Sequence, residues 1–215
     1  MIDFGIICKE YLQAAGSAPA STTLNGAITA SDLAITLASG AALSAIDGPI
    51  IIKIDSELII GTRSSNTVTV DGDATANLRG AFVTTAASHS SGATVSAATL
   101  YDVVSTRVYA DKMPKDWANA TPTLLFGILN PQHEFRIPAA SLDLELYGFT
   151  GTDNPAECHA LGRLLADRLH GVNMFDTTSG TILSAAIIDG PTLVQEEDTE
   201  YKRAMCLARL KLRSR

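Results

Sequence analysis

The stretch from Leu142 to Gly171, LDLELYGFTGTDNPAECHALGRLLADRLHG, decides the fold. Its first part alternates. Leu142, Leu144 and Leu146 fall on one face and Asp143, Glu145 and Tyr147 on the other, the period of a strand with one face on a core. Its second part changes period. Asn154 fits a helix N-cap, Pro155 the first helical position and Glu157 the third, which together make a capping box. Leu161, Leu164, Leu165 and Leu169 then share one face. His170 sits in the last turn, where a partly charged imidazole suits the helix dipole, and Gly171 is placed to end the helix. A strand therefore runs into a helix over 154–170.

Downstream, TILSAAIIDGPTLVQEED (181–198) and EYKRAMCLARLKLRS (200–214) read as two strands joined by an exposed acidic turn. In the last one Ala204, Cys206, Ala208, Leu210 and Leu212 are apolar, while Arg203, Arg209, Lys211, Arg213 and Arg215 fall on the other face. Upstream, TLLFGIL (123–129) reads as a buried strand turned by Asn130-Pro131, and a broken strand follows His133. LYDVVSTRVY (100–109) reads as a short helix leading into an extended Arg107-Val108-Tyr109, with a loop after it closed by Pro122. Residues 2–15 read as a helix, because Phe4, Ile7, Cys8, Tyr11, Leu12 and Ala15 recur at spacings of three and four. Gly16 and Pro19 stop it. The order helix, strand, strand, helix, strand, strand predicts an α+β fold, a mainly antiparallel four-stranded sheet covered by helices.

Residues 20–97 break this texture. Ala, Ser, Thr, Gly, Val and Ile dominate, the only aromatic is Phe82, and six acids stand against three bases. Runs at 33–38, 50–61, 67–70 and 93–97 are bounded by turn signals at Asp55-Ser56 and Ser64-Ser65-Asn66. The reading is an inserted small all-β domain, a barrel or sandwich of five or six short strands. Residues 1–19 and 98–215 then form one split domain around it. Such an insertion survives where its two ends lie close together.

The bulk numbers exclude several classes. The chain has 215 residues, 46% of them hydrophobic and 18% charged, with a net charge of −7. That balance disfavours nucleic-acid binding over the whole surface, which needs clustered Lys and Arg. Cys8, Cys158 and Cys206 show no CxxC spacing, so neither a disulfide framework nor a zinc knuckle is expected. Buried thiols in a reducing cytoplasm are. The start, MIDFGIICKE, lacks the basic and apolar regions of a signal peptide, and no run nears the ~20 apolar residues of a membrane span. A soluble protein with no membrane association is expected.

No residues gather into catalytic or metal-binding chemistry. His89, His133, His159 and His170 are far apart in sequence. Cys158 and His159 are neighbours, but they point to different helix faces and lack a third group. Asp71-Gly72-Asp73 lacks the order and the closing Glu of a calcium loop. Phosphate-loop and nucleophile-elbow motifs are absent. The expectation is no enzyme, no cofactor and no metal.

With the insert removed, residues 1–15 and 98–215 resemble the tail terminator, or tail-completion, proteins of long-tailed bacteriophages. The resemblance lies in the order of the pieces: a short N-terminal helix, TRVYADKMP, the strand and capped helix quoted above, and IIDGPTLVQEEDTEYKRAMCLARLKLR. It covers about 130 residues and is one of pattern. The insert is similar to a β module carried by many phage virion proteins, most clearly around Arg79-Gly80 and from Thr84 to Val95. The resemblance implies a homo-hexameric ring at the head-proximal end of the tail tube, made in the host cytoplasm and carried in the virion. Its partners would be the tail tube protein and a head-tail connector or stopper protein, with DNA passing through the lumen without specific binding. The insert and the loop 110–122 depart from the family's pattern, which leaves open another neck or tail ring protein, or a virion-surface binding module carried by the insert.

The basic face of the last strand is the remaining candidate site. Arg203, Arg209, Lys211 and Arg213 are expected either to be solvated, to line a lumen, or to form a subunit contact. In the third reading they face Asp143 and Glu145, or the Glu196-Glu197-Asp198 turn, of a neighbour. Opposite charges of that kind set register and partner choice in a ring.

Overall fold

The computed structural model describes residues 4–15, 18–72, 77–118, 120–129, 139–152, 154–170, 172–195 and 202–214. The chain divides into two compact units, residues 1–15 with 100–215, and residues 16–99. Helix α1 (Phe4–Gln13) belongs to the first and buries Phe4, Ile7, Cys8, Tyr11 and Leu12, the face its spacing marks.

The second unit holds β1 (Ser21–Thr23), β2 (Ala34–Thr36), β3 (Gly48–Ile54), β4 (Glu57–Ser64), β5 (Thr67–Val70) and β6 (Thr94–Ala97). They form one antiparallel sheet in the order β1-β6-β3-β4-β5-β2. Its two edges meet. Leu24 bridges Leu37, and the Ala38 N–H donates to the Thr23 carbonyl at 2.9 Å. The sheet thus closes around Ile35, Ile52, Ile54, Ile59, Val68 and Val95, all fully buried. Ile54 pairs with Glu57 across a two-residue turn in which Asp55 takes φ +52°. Asp is one of the few side chains that tolerates that left-handed conformation.

The first unit continues with α2 (Leu100–Val104), β7 (Val108–Ala110), β8 (Thr123–Ile128), β9 (Ala139–Phe149), α3 (Pro155–Leu169), β10 (Val172–Asp176), β11 (Gly180–Gln195) and β12 (Lys202–Ser214). Its sheet has six strands in the order β10-β11-β12-β9-β8-β7, all antiparallel except the β7–β8 pair. This corrects the expected α+β fold with a four-stranded, helix-covered sheet. The molecule is mostly β, with two six-stranded sheets. The two strands beyond the expected four are β7, which falls on the segment that reads as extended but not as part of the sheet, and β10, which the sequence reading does not include; they are three and five residues long and show no alternation of burial. Pairing with a longer neighbour, not local pattern, makes them strands.

The second sheet is curled as a half-barrel. The α1 residue Tyr11 packs edge-to-face on Phe175 of β10 at one sheet edge, while Gln13 donates to the Thr106 carbonyl, just before β7 at the other. Neighbouring strands lie about 4.8 Å apart, so a flat sheet of six would set those edges too far apart for one helix. Arg168 of α3 completes this junction, its guanidinium 4.3 Å from the Tyr11 ring and 4.7 Å from the Phe175 ring. Tyr11 donates its hydroxyl to the Arg168 carbonyl, and burial pushes its pKa up to about 12.

Helix α3 has the expected N-cap: Asn154 accepts from the Ala156 N–H at 2.9 Å and Pro155 opens the first turn. The Asn154 N–H goes to the Thr152 hydroxyl at 3.4 Å and Thr152 donates to Glu157 at 2.6 Å, so a threonine stands between the two members of the expected capping box. Gly171 lies outside the described residues. Two glycines let the helix approach the sheet. A Cβ on Gly148 would stand 2.7 Å from Leu161 Cδ2, and one on Gly162 would stand 2.8 Å from Pro191 Cβ.

Candidate functional site

The β9–β12 register places most of the sequence-marked charges on one face of the second sheet. Leu142, Leu144 and Leu146 pair with Leu210, Ala208 and Cys206, and all six are buried in the core. The alternate positions therefore turn away from the core: Asp143, Glu145 and Tyr147 on β9, and Arg203, Arg209, Lys211 and Arg213 on β12.

Asp143 and Arg209 are direct cross-strand neighbours and form a two-pronged ion pair at 2.6 and 2.9 Å within one chain. Hydrogen bonding to Asp143, and then its charge, raises the Arg209 pKa. The sequence had offered Asp143 to the arginine of a neighbouring copy; the register satisfies it internally. Arg203 lies with its guanidinium 4.4 Å from the Tyr147 ring. Glu145 stands opposite Leu207 and Gly127. Lys211 stands between Ser141 and Ser184, and Arg213 between Ala139 and Thr181, so neither has an acidic cross-strand neighbour. Both are exposed. Glu196, Glu197 and Asp198 lie outside the described residues, as do His133 and Arg215.

Between these charges runs an apolar band. Leu125, Tyr147 and Met205 align across β8, β9 and β12, with Leu207 beside them, and all four are half-buried. At the end of the band Trp117 from the loop after β7 packs edge-to-face on Phe149, with ring centroids 4.9 Å apart. Half-buried apolar side chains ringed by charge have the composition common at contact surfaces between folded proteins.

The second unit holds a cluster that sequence spacing did not reveal. Glu57, only 1% exposed, receives Arg79 Nε at 2.7 Å and the Gly80 N–H at 3.1 Å on one oxygen. Its other oxygen receives Arg79 at 3.0 Å, the Ala87 N–H at 3.1 Å and contacts His89 Nε2 at 2.8 Å. His89 Nδ1 lies 2.9 Å from Asp55. Arg79 also donates to the carbonyls of Thr29, Asp32 and Ala87. Burial alone would raise the Glu57 pKa, but the bonds from Arg79, His89 and Ala87 outweigh it and hold the carboxyl below its ordinary value. Both Glu57 oxygens are occupied, and the cluster ties four loops together. The available signal was Arg79-Gly80, a basic residue and a glycine side by side in a segment poor in charge. Gly80 sits at φ +65°, where a Cβ would meet the Ala86 nitrogen at 2.7 Å.

The remaining histidine and cysteine candidates do not converge. Cys158 is fully buried, within 3.4 Å of the Lys202 carbonyl, whereas His159 is exposed. Among the described residues no three His, Cys, Asp or Glu side chains gather as metal ligands, and no helix is long and apolar enough to cross a membrane.

No protein-family model matches the chain, and no curated protein matches it.

Proposed function

We propose that the chain is a structural virion protein, a tail terminator that assembles as a ring, most simply a hexamer, at the head-proximal end of a phage tail tube. There it ends tube growth and joins tail to head. The observation that carries the reading is the outward face of the second sheet. It pairs a half-buried apolar band at Leu125, Tyr147, Met205 and Leu207 with the exposed cations Lys211 and Arg213, neither of which has an acidic cross-strand neighbour. A face of this composition fits association between folded chains better than substrate turnover. The order of sequence pieces supplies the specific assignment. On this reading the partners are further copies of the chain, the tail tube protein and a connector or stopper protein. DNA passes the ring without specific binding, and the protein acts without catalysis or cofactor.

Electron microscopy and native mass measurement of the purified chain, together with labelling of intact particles, test this. Rings, and label confined to the head-tail junction, are the expected result. A chain absent from particles would refute it.

A further inference from the structure

Beside α3 the second sheet carries an open groove of about 590 Å³, lined by Asp167 and His170 of the helix and by Ile187, Ile188, Asp189 and Pro191 of β11. It combines apolar walls with two carboxylates, and no cation pairs with Asp167 or Asp189 among the described residues. β10 pairs with β11 only as far as Ala185, so among the described residues the groove borders a strand edge that no other strand covers. That edge is closed to strand addition. Pro191 has no N–H, the Gly190 N–H is taken by the Asp189 carboxylate at 2.8 Å, and the register shifts on both sides of Asp189. These are devices that keep sheet edges from pairing indiscriminately. What enters the groove must therefore be recognised through its side chains.

We infer that the groove receives the Lys211–Arg213 end of β12 from a second copy of the chain. This rests on the ring reading and names its contact surfaces. The charges are complementary: two unpaired carboxylates in the groove, two exposed cations without acidic cross-strand neighbours on the strand. The match is not available within one chain. Asp167 and His170 lie on the helix side of the sheet, whereas Lys211 and Arg213 alternate with the core residues Leu210 and Leu212 and so face the opposite side. Asp189 stands opposite Leu207, four positions along β12 from Lys211, roughly 13 Å at about 3.3 Å per residue. A site and its complement on separate patches of one protomer make a heterologous contact, the kind that propagates from copy to copy and closes into a ring.

Sedimentation velocity of two charge-reversed variants tests the contact. One is Lys211→Glu/Arg213→Glu; the other is Asp167→Lys/Asp189→Lys. All four positions are exposed, so far-UV circular dichroism should stay that of the parent chain. Each variant alone sets like charges against like and is expected to sediment as a monomer where the parent is an oligomer. Mixed in equal amounts, or combined in one chain, they restore opposite charges at every contact and are expected to recover the oligomer. Recovery on mixing is something misfolding cannot produce. Variants that assemble like the parent, or a combined variant that stays dissociated, overturn the inference and leave the ring reading standing. A parent chain monomeric at every concentration overturns the contact, and one that is also absent from particles overturns the ring reading with it. An oligomer that behaves as expected but is absent from particles sinks the terminator reading alone.

Discussion

Replacing Arg79 by Met should remove a large part of the stability of the 16–99 unit. Met keeps the aliphatic stem and deletes only the guanidinium. Five hydrogen bonds go with it: two to Glu57 and one each to the carbonyls of Thr29, Asp32 and Ala87. Both partners of the ion pair have side chains only 1% exposed, so the charge left behind stays out of water. Removing one partner of a buried pair typically costs 3–5 kcal/mol, far more than the pair contributes relative to an apolar replacement of both. Glu57 keeps three of its donors, the Gly80 and Ala87 N–H groups and His89. That places the expected cost near 3 kcal/mol rather than 5. For a unit of this size 3 kcal/mol corresponds to a fall in melting temperature of roughly 12–24 °C. Thermal melts followed by far-UV circular dichroism measure it, with Glu57→Gln and the double variant completing a cycle. The double variant should cost about 2 kcal/mol less than the two single changes added together, because the second change removes a group already stranded. A cost for Arg79→Met within about 1 kcal/mol of zero, or strict additivity, would refute the assignment of Glu57–Arg79 as the centre of the cluster.

The same carboxylate fixes an acid limit. Its folded pKa is depressed, so its contribution is complete above the unfolded value of about 4.3 and is lost as pH falls through the folded value. Urea melts from pH 7 downward should show stability flat above that point and falling below it, and Glu57→Gln should flatten the acid limb. Cys8, Cys158 and Cys206 are all buried, and burial raises the Cys206 pKa to about 11. A thiol reagent at pH 8 should leave all three unmodified in the native protein and label them once it is unfolded. Arg209 is 53% exposed, so its bond to Asp143 is screened by water, and Arg209→Ala should change stability by less than about 1 kcal/mol in a chemical melt. Gly162→Val brings a branched side chain against Pro191 and Ala204 and should destabilise the first unit by about 1–3 kcal/mol in the same assay.

Several pieces of this architecture are legible residue by residue. The Asn154-Pro155 start of α3, the Leu142-Leu144-Leu146 face of β9 and the apolar face of β12 each follow from signals within a dozen residues. So does the buried face of α1. Local sequence suffices there because the cap or the alternating face is made by the same residues that form the element. It gives β7 as an extended segment without its place in the sheet, which comes from Leu124–Phe126 lying alongside, and it fails for β10, which depends on Thr181–Ala185. It fails for Glu57, Arg79 and His89, which stand 22 and 32 residues apart along the chain and meet only when four loops converge.

By itself the sequence determined that an all-β segment interrupts a second unit, which strands and helices carry clear faces, and that the last strand has one cationic side. Those properties depend on side-chain order along one element. Tertiary structure alone decided that the sheet has six strands and curls around α1, that Asp143 meets Arg209 in its own chain, and that Lys211 and Arg213 are left without acidic cross-strand neighbours. These depend on register between strands, which for Asp143 and Arg209 lie 66 residues apart in sequence. A shift of one residue there turns every side chain to the opposite face, and only the packing of the whole core selects among registers.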